Sequence, residues 1–166
     1  MKKIISLLLF LAITTGLLFV IQDLKKKNSE INNHFTSINF KDFDFLQVVQ
    51  ESELNENSVI CFFSSTCSLC SYEAEILKKE EFVPENLDFI WVSRQPKDSI
   101  RTFIKKNELS DVAHFRFAQI DSTLLEQKYD IKEYPRGLIY KNGILCHVYK
   151  GLISLHQIKE KIKSVK

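Results

Sequence analysis

The chain has 166 residues, 45% of them hydrophobic and 11% aromatic, with only 4 Gly and 3 Pro. That is the make-up of one globular domain with a short appendage, and it excludes a disordered or collagen-like chain. Lys and Arg number 23 against 21 Asp and Glu, for a net charge of +2; so even a balance, without a basic stripe interleaved by aromatics, argues against a nucleic-acid partner.

Residues 4–21 carry no formal charge and are almost entirely apolar, bounded by Lys2-Lys3 and, after Gln22-Asp23-Leu24, by Lys25-Lys26-Lys27. Such a run is long enough to cross the hydrocarbon core of a bilayer, so residues 1–24 are expected to form an N-terminal membrane anchor. A cleaved secretory signal is the alternative, although the run is longer than most signal cores and no Ala-x-Ala-like site precedes the triple Lys. Lys flanks both ends, so charge does not decide orientation. A signal-like segment at the extreme N-terminus exports the chain behind it, which places the rest outside the cytoplasm, in a periplasm-like compartment where disulfides persist. Residues 25–37, including His34, are polar and aperiodic and read as a tether; residues 38–166 are the folded domain.

Within that domain, residues 43–51 form a short helical candidate, 59–63 a buried strand and 68–79 a helix. A strand at 87–92 leads to a helix at 97–107 with Ile100, Phe103 and Ile104 on one face, then a strand at 114–120. Ser122 is placed to cap a short helix running to Lys128. Strands at 137–140 and 144–149 flank Lys141-Asn142-Gly143, a strong hairpin signal. Ser154 caps a final amphipathic helix with Leu155, Ile158 and Ile162 at helical spacing. Strands alternating with helices, closed by a hairpin and a helix, describe an α/β domain whose central sheet is covered on both faces.

Cys67-Ser68-Leu69-Cys70 falls where the apolar strand gives way to a helix. The free N–H groups of a helix's first turn stabilise a thiolate on the first cysteine, and Cys70, one turn further in, is close enough to attack a mixed disulfide formed there. Metal chemistry fits less well. A single Cys-x-x-Cys lacks the second pair of a zinc site, Ser71 rather than His follows Cys70, which excludes haem attachment, and His114, His147 and His156 have no spacing suited to copper. No metal or organic cofactor is therefore called for. Cys61 and Cys146 are singletons on strands and read as core residues; a disulfide between them would need close approach.

The stretch Tyr129-Asp130-Ile131-Lys132-Glu133-Tyr134-Pro135-Arg136-Gly137, running on through Asn142-Gly143 to Gly151 and the last helix, resembles the C-terminal half of thioredoxins. With Phe62-Phe63-Ser64-Ser65-Thr66-Cys67-Ser68-Leu69-Cys70 ahead of it, the resemblance covers the chain from about residue 55 to its end. It implies a thioredoxin-like three-layer sandwich with a central mixed sheet. It also implies that Pro135 is cis, a geometry found at roughly 5% of X-Pro bonds, and that Tyr134, Pro135 and Arg136 shape a substrate groove beside the dithiol. Pro135 lies 68 residues after Cys67, farther than in thioredoxins, and the added strand and helix at 87–107 account for the gap. That insertion, together with the N-terminal apolar segment, resembles the TlpA-like branch of membrane-anchored, extracytoplasmic thiol-disulfide oxidoreductases. The resemblance assigns Cys67 as nucleophile and Cys70 as resolving cysteine of a redox-active disulfide, with protein thiols or disulfides as partners. Two residues depart from the pattern: Cys61 stands where thioredoxins carry a buried acid, and Arg136 where Thr is common. Two other readings stay open. A peroxiredoxin-type thiol peroxidase would use Ser64 three residues before Cys67, but Ile60 stands where its proline is expected. A non-enzymatic tethered binding module would keep the dithiol as a structural disulfide.

Overall fold

The apolar run before the dithiol forms β2 (Asn57–Phe62), which pairs in parallel with β3 (Leu87–Ser93) and antiparallel with β5 (Arg136–Lys141). Outward from β3 lie β4 (Phe115–Gln119), parallel, and β1 (Asp44–Phe45), antiparallel; outward from β5 lies β6 (Ile144–Lys150), antiparallel. The mixed sheet therefore has the order β1-β4-β3-β2-β5-β6. Its helices are α1 (Ser68–Lys78), α2 (Lys97–Lys106), α3 (Ser122–Gln127) and α4 (Leu155–Ser164), and a short 3-10 helix spans Phe40–Asp42. This computed structural model describes residues 38–47, 54–55 and 57–165, together with Thr14, Gly16, Leu18, Phe19 and Gln22.

The chain separates into two units, Met1–Phe35 and Thr36–Lys166. In the first, the described residues are helical. Among the described residues no helix is long and apolar enough to cross a membrane; most of the span expected at 4–21 and the whole tether expected at 25–37 lie outside them.

In the second unit all seven residues of β3 are buried, as a strand covered on both faces requires. β3 thus lies in the middle of the sheet, between β2 and β4. On one face Val59, Cys61, Phe63, Phe89 and Trp91 pack under α1, α2 and α4. The ring of Phe63 lies 4.4 Å from Phe103 and that of Trp91 5.5 Å from Phe115, contacts worth about 0.5–1.5 kcal/mol each beyond burial. The opposite face carries Ile60, Phe62, Leu138 and Tyr140, with Phe62 against Tyr129 at 5.3 Å and Tyr129 against Phe43 at 5.9 Å. The hairpin forms where Asn142 and Gly143 take φ of 52° and 73°, the pair of positive values that a tight two-residue turn demands. Ser154 caps α4 through a full capping box with Gln157.

Two expectations are corrected. Residues 43–47 are not helical: Asp44 and Phe45 pair with Gln119 and Ala118, and Leu46 N donates to Phe117 O at 2.9 Å. Phe43 is buried against Tyr129, while the Asp44 carboxylate meets Lys97 Nζ at 2.8 Å, so a strand-like alternation serves the sheet edge better than a helix does. Residues 48–51 of the expected helix lie outside the described residues. The cap of α3 is Asp121 rather than Ser122: its Oδ1 accepts from Thr123 N at 2.9 Å and Leu124 N at 3.1 Å, an ionised acceptor being the stronger partner for a helix's first N–H groups.

Candidate active site

Phe63 N makes the last sheet bond of this edge, to Val92 O at 3.0 Å, and the next three residues deliver the dithiol. The turn after β3 holds that loop: Gln95 Oε1 accepts from Ser65 N at 2.6 Å and from Ser93 Oγ at 3.4 Å. Cys67 N donates to Ser64 O at 3.0 Å, which turns the chain into α1. Cys67 is the N-cap residue, extended at φ −82°, ψ 114°, and its Sγ accepts from Cys70 N at 3.2 Å. A sulfur thus occupies the acceptor place that Ser or Asp usually fills. Cys67 is half-buried and Cys70 fully buried, and all four cysteines are free. Burial pushes the Cys70 thiol well above its ordinary value; its hydrogen bond with Cys67 adds to this, and the Ser64 backbone offsets part of it.

Behind Cys70 stands a residue that sequence reasoning missed. Glu73 lies on the same helix with 0% exposure. Its Oε1 accepts from Ile153 N at 3.3 Å, and its Oε2 is buried without a hydrogen-bond partner. Burial pushes the carboxyl up to about 8, while the Ile153 N–H and the Tyr149 hydroxyl favour the ionised form. Its charge in turn helps to raise Cys61 and, more weakly, Cys70. The signal was available: Cys70, Glu73, Ala74 and Leu77 follow the i, i+3, i+4, i+7 pattern of one buried helix face, and a glutamate on that face is out of place unless it has work there.

The Tyr134–Pro135 peptide is cis, as expected. Pro135 is buried, and its carbonyl accepts from Gly151 N at 2.9 Å. Tyr134 is half-buried against the core cluster that contains Cys70, and burial raises its hydroxyl. Arg136 is placed differently. It pairs with Phe62, one residue out of phase with the Cys61–Gly137 pair, so its side chain leaves the sheet on the face opposite Cys61. There it is 8% exposed, with Nη1 donating to Asp130 O at 3.0 Å. Its guanidinium is committed to that carbonyl rather than displayed beside Tyr134.

Cys61 lies in the core, where its Sγ accepts from the Tyr149 hydroxyl at 3.4 Å; burial first and Glu73 second push its thiol up. Cys146 is half-buried on β6 and donates to Ile139 O at 3.2 Å. The two are separately engaged and unbonded. Among the described residues no group of three or more His, Cys, Asp or Glu is placed to hold a metal ion.

No family model matches the chain, and no curated protein sequence matches it. Solved structures share its fold. A DsbF homologue from Corynebacterium diphtheriae is 13% identical, with a TM-score of 0.59 over 79% of this chain and 85% of that one. A secreted Mycobacterium tuberculosis disulfide oxidoreductase homologous to E. coli DsbE is 15% identical, with a TM-score of 0.54 over 70% and 88%. StoA from Bacillus subtilis is 21% identical, with a TM-score of 0.50 over 63% and 81%. At these identities the likeness establishes the fold, which is thioredoxin-like.

Proposed function

We propose that this chain is a thiol-disulfide oxidoreductase acting on protein partners, held to a membrane by residues 4–21 with the domain of residues 38–166 outside the cytoplasm. One observation carries the reading of the chemistry: a half-buried Cys67 sulfur caps α1 directly over a buried Cys70, and a buried carboxyl stands behind the second thiol. The M. tuberculosis structure similar to this one is described as a secreted disulfide oxidoreductase, which supports both the chemistry and the placement.

In the reaction, Cys67 as thiolate attacks a partner disulfide. The partner S–S bond breaks, one sulfur leaves as a thiolate and the other is bonded to Cys67. Cys70 gives its proton to Glu73, and its sulfur then attacks Cys67 Sγ. The Cys67–Cys70 disulfide forms, the Cys67–partner bond breaks, and the second partner sulfur departs and takes up a proton. Two electrons pass from the dithiol to the partner; run in reverse, the same steps oxidise a partner dithiol. A carboxyl near 8 suits both directions, because a base poised close to neutral pH both takes and returns a proton.

Cys70→Ser should accumulate mixed disulfides at Cys67 that a dithiol reductant releases and that Cys67→Ser abolishes. If nothing accumulates and the wild-type Cys67–Cys70 bond resists dithiol reductants, the exchange reading is wrong and the dithiol is structural. Membrane residence is read separately, from whether the full chain stays with membranes after alkaline extraction and keeps Met1.

A further inference from the structure

Cys61, Gly137 and Tyr149 stand side by side across three strands. Cys61 on β2 pairs with Gly137 on β5, which pairs with Tyr149 on β6. Paired residues project to the same face, so the Tyr149 side chain reaches Cys61 only by crossing over residue 137. It does cross, and its hydroxyl meets Cys61 Sγ at 3.4 Å. A Cβ at position 137 would overlap Tyr149 Cε1, Cζ and Oη; glycine is what lets the ring through.

Glu73 reaches the same spot from α1. One of its oxygens is taken by Ile153 N and the other is buried without a partner. The Tyr149 hydroxyl, itself buried, gives its one proton to the Cys61 sulfur, and it is near enough to the Glu73 carboxyl to favour that group's ionised form. We propose that Tyr149 is a positioning residue for Glu73: its hydroxyl donates to Cys61 while Glu73 holds a proton, and turns to the carboxylate once that proton is gone, so that Glu73 can receive the proton of Cys70. The purpose of this device rests on the exchange reading, but the hold of the hydroxyl on the carboxyl does not need a partner protein. The titratable groups that face Glu73 are Cys70 on its own helix, Cys61 on β2 and Tyr149 on β6. Burial raises both Tyr149 and Cys61 well above their ordinary values, so each keeps its proton in the range where Glu73 titrates.

The test is a pH titration of the Glu side-chain carboxyl carbons by NMR in the full-length reduced protein, with the Glu73 resonance identified by its loss in Glu73→Gln. Tyr149→Phe keeps the ring over Gly137 and removes only the hydroxyl. It should move the Glu73 midpoint upward by about one pH unit, the weight of a hydrogen bond to a charged group. Gly137→Ala, which forces the ring aside, should move it in the same direction. A Glu73 midpoint unchanged by Tyr149→Phe overturns the proposal, even where Cys70→Ser still traps partners. An upward shift supports it, even where trapping fails and the exchange reading falls.

Discussion

Replacing Glu73 by glutamine should make the protein more stable, by an amount that grows as pH rises from about 4.5 to about 8. In the unfolded chain this carboxyl ionises near its ordinary value of 4.5, whereas in the fold burial holds its proton to about 8. Between those values the native state keeps a proton that the unfolded state has released. Stability therefore falls as pH rises through the window, and the whole penalty is present above it. At about 1.4 kcal/mol per pH unit the window spans at most about 5 kcal/mol, and relaxation around the new charge makes about 3 kcal/mol the working figure. Glutamine keeps an oxygen for Ile153 N and carries no charge. Urea unfolding of the reduced full chain at a series of pH values should place the variant within about 1 kcal/mol of wild type at pH 4 and about 3 kcal/mol above it at pH 9. His114 and His147, lowered by burial, contribute a slope of opposite sign, present below 6.5 in both proteins, so it cancels in the difference. The raised thiols of Cys61 and Cys70 lose protons only beyond the window. Parallel curves for the two proteins from pH 4 to 9 would refute the assignment of Glu73 as a buried carboxyl with a displaced titration.

Gly137→Ala should destabilise the domain by about 2–3 kcal/mol through overpacking against Tyr149; Tyr149→Ala in the same chain should return part of the loss, and strict additivity in a double-mutant cycle would contradict the contact. Gln95→Ala removes the acceptor of Ser65 N and should lower stability by about 1 kcal/mol. It should also speed hydrogen exchange at the Ser65 amide and slow thiol exchange at Cys67; an unaltered Ser65 amide would show that Gln95 does not hold the dithiol loop.

What was legible in the sequence was whatever is decided locally. The dithiol could be placed at a strand-helix junction because the apolar pattern changes period there, and the hairpin could be read because Asn142-Gly143 tolerates two positive φ values. Pro135 could be read as cis only through the resemblance to thioredoxins, since nothing in its neighbours requires it. Residues 43–47 were misread because their pairing partners on β4 lie more than seventy residues away, and a long-range ladder outweighs local propensity. The cap of α3 was displaced by one residue because Asp121 and Ser122 are both able to cap. The face that Arg136 takes could not be read from the sequence, because a strand residue's direction follows its register; the pairing with Phe62 puts it on the face opposite Cys61.

Glu73 was hidden by a different cause. Lys or Glu occurs on every helix, and a glutamate among them reads as solvated unless its phase against Cys70, Ala74 and Leu77 is followed. Once it is placed, the departure at Cys61 takes on another meaning. The strand position that thioredoxins fill with an acid holds a thiol here, and by itself that looks like the loss of a proton acceptor. An acid is instead buried on the helix, one turn after Cys70, where its charge helps to raise Cys61. A thiol that burial keeps protonated is a neutral neighbour for that carboxyl, whereas a second carboxylate at position 61 would drive Glu73 still further from ionising. Cys61 is thus a neutral neighbour for Glu73, and Gly137 makes room, sterically, for the tyrosine that reaches Cys61.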